Sequence, residues 1–408
     1  MHHCVEILFF YFGYIYAMNR IGNIIRKGII SPVLEFIHDS RAVGIVLICC
    51  TLVSLIISNT GWGPSYIHFW ERELNMPMPE LHLPHTILHL INDALMAVFF
   101  FLVGLEIKRE LLVGELNTTK KAMLPAIAAL GGMVVPALIY VIWCGGTPFG
   151  RGWGIPMATD IAFSLGVLSL LGKRAPLSLR IFLTALAIID DLGGILTIAI
   201  FYAQDIQWIY LFIALGIVFL LALLNAAKVK HYYIFFFFGI VLWYFVFNSG
   251  IHATIAGVLL ASTIPMHKVE ELEHALHDPV NFIILPLFAL ANTAILLPSD
   301  FSSVFSSVVH HGIFMGLVLG KPIGIYLFSI LAIRMKMATL PDGINHRHVL
   351  GMGMIAGIGF TMSIFMATLA FSDAPTQIVA KVAIIGASVV AGAIGFAYLK
   401  TRALKTLR

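Results

Sequence analysis

Two adjacent aspartates, Asp190 and Asp191, stand in the middle of the apolar stretch ALAIIDDLGGIL. Asp160 and Lys321 are placed in the same way within other apolar runs. An ionised group at the centre of a membrane span costs about 2.5–3.5 kcal/mol, so it is seldom kept without a function. Carboxylate oxygens suit small hard cations, and apolar surroundings favour the protonated form of a carboxyl group. These residues predict a site that holds either a small cation or protons.

The two aspartates cannot be equivalent. Adjacent residues of a helix point about 100° apart, so both carboxylates would not face one ion equally. Neighbouring carboxyl groups also titrate as a coupled pair. We expect one of them to be the primary ligand and the other to pair with Lys321. Competition between protons and a cation, combined with alternating access, is the chemistry of an exchanger.

The composition predicts the elements that must position these residues. Of 408 residues, 60% are hydrophobic and 11% are charged, with a mean hydropathy of +0.95. Soluble domains have roughly 45–50% apolar and about 25% charged residues, so the chain is predicted to be an all-α polytopic membrane protein. The net charge of +4 is spread over the ends of apolar runs, which argues against a nucleic-acid partner. The four cysteines resemble small buried hydrophobic residues more than a disulfide framework.

Twelve apolar runs are long enough to cross a bilayer. They lie at roughly 42–60, 86–107, 122–143, 153–171, 177–203, 207–226, 232–248, 250–265, 280–297, 312–333, 349–371 and 379–399. With a cytoplasmic N-terminus, 21 of the 25 Lys and Arg residues fall on the cytoplasmic side, three fall outside, and Lys321 remains within a span. This asymmetry predicts that both termini are cytoplasmic.

Spans 4 and 11 contain helix-breaking residues. Span 4 has Pro156 before the pair Thr159 and Asp160, and span 11 has four glycines before Thr361. Freed backbone groups survive at membrane depth only where they line a cavity within the protein. We therefore predict that spans 3–5 and 10–12 form inverted repeats whose interrupted helices cross at the midplane. Thr159 or Asp160 would cap the second half of span 4, and Lys321 would suit the carbonyl ends of the first halves.

The predicted domain organisation is simple. Residues 1–41 form a cytoplasmic N-terminal segment, 42–400 a single transmembrane domain with an external hairpin at about 62–85, and 401–408 a cytoplasmic tail. The apolar stretch at 5–18 is too short for a span and lacks the features of a signal peptide. Met18 could serve as an alternative start.

With these residues identified, the chain closely resembles the bacterial sodium/proton antiporters of the NhaA type. The resemblance extends from about residue 40 to the C-terminus. The stretches that carry it are NDALMAVFFFLVGLEIKREL (92–111), GGMVVPAL (131–138), ATDIAFSLGVLSLLGKRAPLSLRIFLTALAIIDDLGGI (158–195), SGIHATIAGV (249–258), LEHALHDPVNFIILPLFALANT (272–293), GKPIGI (320–325) and GIGFTMSIFMATLAF (357–371).

The resemblance implies a transporter, not an enzyme, in the bacterial inner membrane, without a cofactor. It implies electrogenic exchange of two protons for one Na⁺ or Li⁺, regulated by pH, for sodium and pH homeostasis. Asp191 would be the principal carrier of the cation and the proton, and Asp190 would contribute to the same site and pair with Lys321. Thr159 and Asp160 would lie at the helix crossing.

The resemblance also implies a pH-sensing cluster near the cytoplasmic entrance and a homodimer paired through residues 66–85. The pH-sensing candidates are Glu106, Arg109, Glu110, His252, Glu273, His274 and His277. Glu270 and Glu271 stand where the family usually has a basic pair, and Asn248 stands where it often has lysine. These departures leave exchange intact and leave the pH profile open.

Three other functions are weaker interpretations. A sodium-coupled solute symporter would need a larger polar cavity, and no arginine lies mid-span to bind a carboxylate substrate. An intramembrane aspartyl protease needs two aspartates on facing helices, whereas Asp190 and Asp191 are adjacent on one. A channel would seldom bury Lys321 beside its acids. Proteoliposome assays would separate exchange from solute uptake.

Overall fold

The computed structural model describes residues 42–74, 82–114, 116–172, 175–203, 205–229, 231–298 and 300–403. The predicted cytoplasmic segment 1–41 lies outside these residues, as do 75–81 of the predicted hairpin and 404–408 of the predicted tail.

Within the described ranges the fold is all-helical, and the only β contact is an isolated bridge between Glu73 and Thr86. The first helices are α1 (Ala42–Ser58), α2 (Gly63–Glu71), α3 (Ile87–Leu112), α4 (Thr119–Cys144), a 3-10 helix (Gly150–Met157), α5 (Ile161–Ser169), α6 (Leu177–Phe201) and α7 (Trp208–Ala226). The remaining helices are α8 (Tyr232–Phe247), α9 (Ile255–Thr263), α10 (Met266–Asn292), α11 (Phe301–Ser306), α12 (Val308–Arg334), α13 (His346–Ala356), α14 (Phe360–Ala370) and α15 (Ala374–Tyr398).

Several helices have the length and composition of membrane spans. Seven helices in the described part of the chain meet this description, and two bent pairs raise the number to nine. The bent pairs are α1 with α2, at 116°, and α13 with α14, at 49°. Of the three other predicted runs, 232–248 coincides with α8 to within one residue, whereas 153–171 and 250–265 contain the shorter helices α5 and α9.

Three long helices contain a wider π turn. These turns are Leu90–Leu95 in α3, Val280–Ile284 in α10 and Gly316–Gly320 in α12, and a fourth, Leu399–Ala403, follows directly after α15. The turn in α12 ends directly before Lys321. π turns are rare and occur frequently at functional sites, so their positions direct attention to these three helices.

Small residues allow two helix pairs to approach closely. In the first, Gly104 of α3 faces Ala261 of α9, and Lys108 donates hydrogen bonds to the carbonyls of Ser262 and Ile264, at 2.7 and 2.5 Å. These carbonyls lie at the C-terminal end of α9, where the helix dipole favours a cation. Close packing of small residues is a common way to join membrane helices.

The second close pair is α4 with α12. A methyl group added at Gly131 would lie 2.3 Å from the carbonyl oxygen of Gly324. The same pair positions Lys321, because its side chain passes beside Gly132. The backbone contact between α4 and α12 therefore holds the helix that carries the buried lysine.

Candidate functional site

Two non-helical segments meet inside the protein. The chain leaves the 3-10 helix at Met157 and enters α5 at Ile161, and it leaves α13 at Ala356 and enters α14 at Phe360. The amide of Asp160 donates a 2.7 Å hydrogen bond to the carbonyl of Ile358, which joins the two segments directly. Backbone of this kind is tolerated at membrane depth where protein encloses it.

Asp160 binds the beginnings of two helices. One carboxylate oxygen accepts the amide of Phe163, at 2.9 Å, as the N-cap of α5. The other accepts the amide of Thr361, at 3.1 Å, and the Thr361 hydroxyl. Both helix N-termini direct the positive end of their dipole towards this buried carboxylate, which compensates its charge.

Asp190 is paired within the protein. Its Oδ2 accepts hydrogen bonds from the Lys321 ammonium and from the Thr159 hydroxyl, the latter at 2.7 Å, and all three residues are buried. The Thr159 hydroxyl also lies 3.0 Å from the carbonyl of Ala356, at the end of α13. Lys321 therefore donates its hydrogen bond to Asp190, and the Thr159 hydroxyl lies against the last carbonyl of α13.

Asp191 faces a different environment from its neighbour. It is 4% exposed, and its Oδ1, like that of Asp190, has no hydrogen-bond partner among the described residues. Its side chain lines a cavity of about 240 Å³. The helical rotation of about 100° between adjacent residues turns Asp190 towards Lys321 and Asp191 towards this cavity.

The cavity collects polar side chains from four helices and from the N-cap of α5. They are Glu106, Arg109, Asp160, Thr184, Asp191, His277, Asn281 and Thr361. Phe99 and Leu102 are among the apolar side chains that complete its wall. The cavity thus connects the end of α3 that carries Arg109 with the buried Asp191, and its polar side chains are set in a largely apolar wall.

Arg109 links two helices at the mouth of the cavity. It forms ion pairs with Glu110, at 2.7 Å, and with Glu273 of α10, at 2.8 Å. His277 lines the same mouth, and its Nδ1 lies 3.3 Å from Asp278 Oδ1. The three side chains of these ion pairs are partly buried, so the group joins α3 to α10 and also sets the charge at the entrance.

The structure does not bring all the predicted pH-sensing residues together. His274 is exposed on α10. His252 lies after α8, where its Nε2 is 3.2 Å from the carbonyl of Tyr202 at the far end of α6. His252 is therefore separate from the mouth formed around Arg109 and Glu273.

The sequence interpretation did not identify Thr361 or Asn281 as site residues. Thr361 binds Asp160 through its amide and its hydroxyl and lines the cavity, as Asn281 also does. Thr361 is the second residue of α14 and follows a glycine-rich segment. Thr159 lies just before α5 and follows Pro156. That symmetry was the available signal. No comparable pattern marks Asn281.

Comparison with known proteins adds independent information. Residues 34–399 match the family model described as Na⁺/H⁺ antiporter 1. The Na(+)/H(+) antiporter NhaA 2 of Flavobacterium johnsoniae is 52% identical over 374 residues, covering 90% of this chain and 92% of the relative. The Na(+)/H(+) antiporter NhaA of Cytophaga hutchinsonii is 50% identical, covering 90% and 94%, and that of Dechloromonas aromatica is 48% identical, covering 90% and 94%.

Proposed function

Because this chain belongs to the Na⁺/H⁺ antiporter 1 family, we propose that its Asp191 carboxyl carries Na⁺ and H⁺ in turn. Membership identifies the chain as a multi-pass membrane protein that exchanges Na⁺ for H⁺. The observation that supports the assignment to Asp191 is its environment: a buried carboxyl group with an unpartnered oxygen, lining the cavity that begins at Arg109.

The proposed exchange follows from competition for one group. A Na⁺ ion that loses water in the cavity needs oxygen ligands, which Asp191 and the neighbouring Thr361 hydroxyl could supply. Protonation of Asp191 removes its charge and with it the attraction for the cation. A proton and Na⁺ therefore displace each other, and alternating access on the two sides converts this displacement into antiport.

Asp190 and Lys321 supply a second place for a proton. We propose electrogenic exchange of two protons for one Na⁺ or Li⁺, with the second proton carried by the Asp190–Lys321 pair. Their direct contact supports this assignment, because the charge of either partner depends on the other. The proton can reside on the Asp190 carboxyl or on the Lys321 amine.

The residues at the mouth are proposed to regulate exchange by pH. Glu106, Arg109, Glu110, Glu273 and His277 combine acidic, basic and titratable side chains where an ion would enter. Protonation there would reduce the negative charge that attracts Na⁺. His274 and His252 are more distant and have a smaller part in this proposal.

We propose the following arrangement in the membrane. Twelve spans cross the inner membrane, with both termini cytoplasmic and with spans 3–5 and 10–12 related as inverted repeats. Residues 42–400 form one transport domain, and a homodimer forms through the external segment 66–85. The charge asymmetry of the loops and the meeting of Asp160 with Ile358 support this arrangement. No specific observation favours the alternative of a sodium-coupled solute symporter.

A proteoliposome assay tests the role of Asp191. Na⁺ added to vesicles with an acidic interior should drive proton efflux by the natural protein, recorded as dequenching of a pH dye. Asp191→Asn should reduce the signal to that of empty vesicles, because the amide neither binds a proton nor offers a charge to Na⁺. Asp205→Asn, in an exposed loop, is the matched control and should retain exchange. Normal dequenching with normal Na⁺ affinity in Asp191→Asn would refute the assignment.

A further inference from the structure

The cavity ends at a layer of aromatic side chains. Its lining residues farthest along their helices from Arg109 and His277 are Phe99 on α3 and Leu285 on α10, and α14 contributes Thr361 and Met362. At this depth, or within one further turn, each of the three helices carries a buried phenylalanine. The three phenylalanines are Phe100, Phe288 and Phe365.

The three rings contact one another across the helices. The Phe365 ring centroid lies 5.5 Å from that of Phe100 and 6.3 Å from that of Phe288. Each of the three residues is at most 1% exposed. A hydrated ion cannot cross such a layer, and apolar constrictions close ion pathways by excluding water. The aromatic layer therefore separates Asp191 from the side opposite Arg109.

A pair of asparagines joins α3 to α10 beyond this layer. The Asn292 amide donates a 2.8 Å hydrogen bond to Asn92 Oδ1, and the Asn92 amide lies 3.4 Å from Asn292 Oδ1. Asn292 is fully buried, whereas Asn92 is partly exposed and lies within the π turn of α3. Each asparagine is seven residues beyond the last cavity-lining residue of its helix, which corresponds to about 10 Å along the axis.

We propose that the aromatic layer and the Asn92–Asn292 pair form the outer gate of the transport pathway. The two amides hold α3 against α10 while the cavity is open on the Arg109 side. When they separate, their side-chain oxygens become free, and amide oxygens are suitable ligands for an alkali ion that leaves Asp191 outward. The inference deepens the proposed function, since the gate controls outward access to the same carboxyl group.

A static helix contact would show the same hydrogen bonds, so the test must ask whether the contact opens. In a background without the four native cysteines, Asn92→Cys and Asn292→Cys would be combined and joined with a short bis-methanethiosulfonate, which bonds to each thiol through a reducible disulfide and releases methanesulfinate. Cross-linking, verified by mass spectrometry, should abolish Na⁺-driven proton efflux, and reduction should restore it. Each single-cysteine variant, treated identically, should retain the rate that it had before treatment. Full exchange in the cross-linked protein would overturn the proposal.

A second measurement does not depend on transport. Thr184→Cys places a thiol in the cavity, where it should react with a membrane-impermeant reagent from the Arg109 side only. Phe365→Ala should raise its labelling rate from the outer side by about tenfold or more, since the ring that blocks the pathway is removed. Phe235→Ala, equally buried on α8, is the control and should leave outer labelling unchanged.

The second measurement distinguishes failure of the gate from failure of the proposed function. Outer labelling that stays slow in Phe365→Ala would overturn the gate even if Asp191 carries the ions. Faster labelling together with normal exchange in Asp191→Asn would support the gate and refute the role of that carboxyl group.

Discussion

Asp190 and Asp191 show how one residue step in a helix places two carboxyl groups in different surroundings. Asp190 is held by Lys321 and Thr159, whereas Asp191 lines the cavity. A buried carboxylate can be compensated by a charged partner, as Asp190 is by Lys321, or by helix N-termini, as Asp160 is; within the described part of the chain, Asp191 has neither. We infer that Asp191 exchanges Na⁺ and H⁺ directly and that Asp190 acts together with Lys321.

The Lys321–Asp190 pair gives a prediction about stability. Lys321→Met should lower the free energy of unfolding by about 3–5 kcal/mol, because it leaves a buried carboxylate without its cation. Asp190→Asn combined with Lys321→Met should recover part of the loss, since no uncompensated charge remains. Thermal unfolding of the purified protein in detergent measures both variants. An unchanged transition temperature in Lys321→Met would contradict the pairing.

At the scale of residues, the sequence predicts site residues that are unusual by type. It does not predict residues whose role depends on which side chain they contact. A charge within an apolar run is conspicuous, which is why Asp160, Asp191 and Lys321 were predicted. Asn92 and Asn292 are ordinary polar residues 200 positions apart, and only the fold shows that they meet.

At the scale of elements, the site depends on helix ends and on close helix contacts. The beginnings of α5 and α14 both point at Asp160, so the breaks in these helices create the binding place for its carboxylate. The contact of Gly131 with Gly324 holds α4 against α12, the helix that carries Lys321. Loss of the contact between Gly131 and Gly324 would therefore displace Lys321, although neither glycine contacts the site.

Gly131→Ala tests this packing. The added methyl group would collide with the Gly324 carbonyl and the Phe328 side chain, so we expect a loss of about 1–3 kcal/mol in stability. Gly216→Ala, on α7 with no neighbour within 4 Å of the new methyl group, is the matched control. It should be neutral or slightly stabilising. Equal melting temperatures for the two variants would show that the close contact is unimportant.

The breaks near Thr159 and Thr361 could be predicted because proline and glycines mark them within apolar runs. The exact ends of the helices could not be predicted in this way. The 3-10 form of Gly150–Met157 and the π turns depend on tertiary contacts, which leave no periodic pattern in the sequence.

At the scale of the whole molecule, hydropathy predicts a multi-pass membrane protein but overstates the number of long, continuous helices. Twelve apolar runs correspond to seven long apolar helices in the described part of the chain, or nine with the bent pairs. Short helices such as α5 and α9 fill the remaining runs, because a window of apolar residues does not report whether its backbone stays helical.

Competition between Na⁺ and H⁺ is a property of the whole transporter and predicts the sign of its pH dependence. A proton on the carrier excludes Na⁺, so lowering the pH should weaken Na⁺ binding, by up to about tenfold per pH unit for each proton displaced. Calorimetric titration of the purified protein with Na⁺ at two pH values and in two buffers measures affinity and proton release together. An affinity independent of pH, with no proton released, would contradict exchange at a shared carboxyl group.

The π turn before Lys321 predicts how α12 would respond to the deletion of one residue. Such a turn accommodates one residue more than a regular helix, as though an insertion had been absorbed within Gly316–Gly320. Deleting one residue there would restore ordinary winding and leave the two flanking segments in nearly the same mutual orientation, because the wide turn already absorbs the extra residue. The same deletion inside a regular stretch of α12 would instead rotate the outer half of the helix by about 100° relative to the Lys321 ammonium.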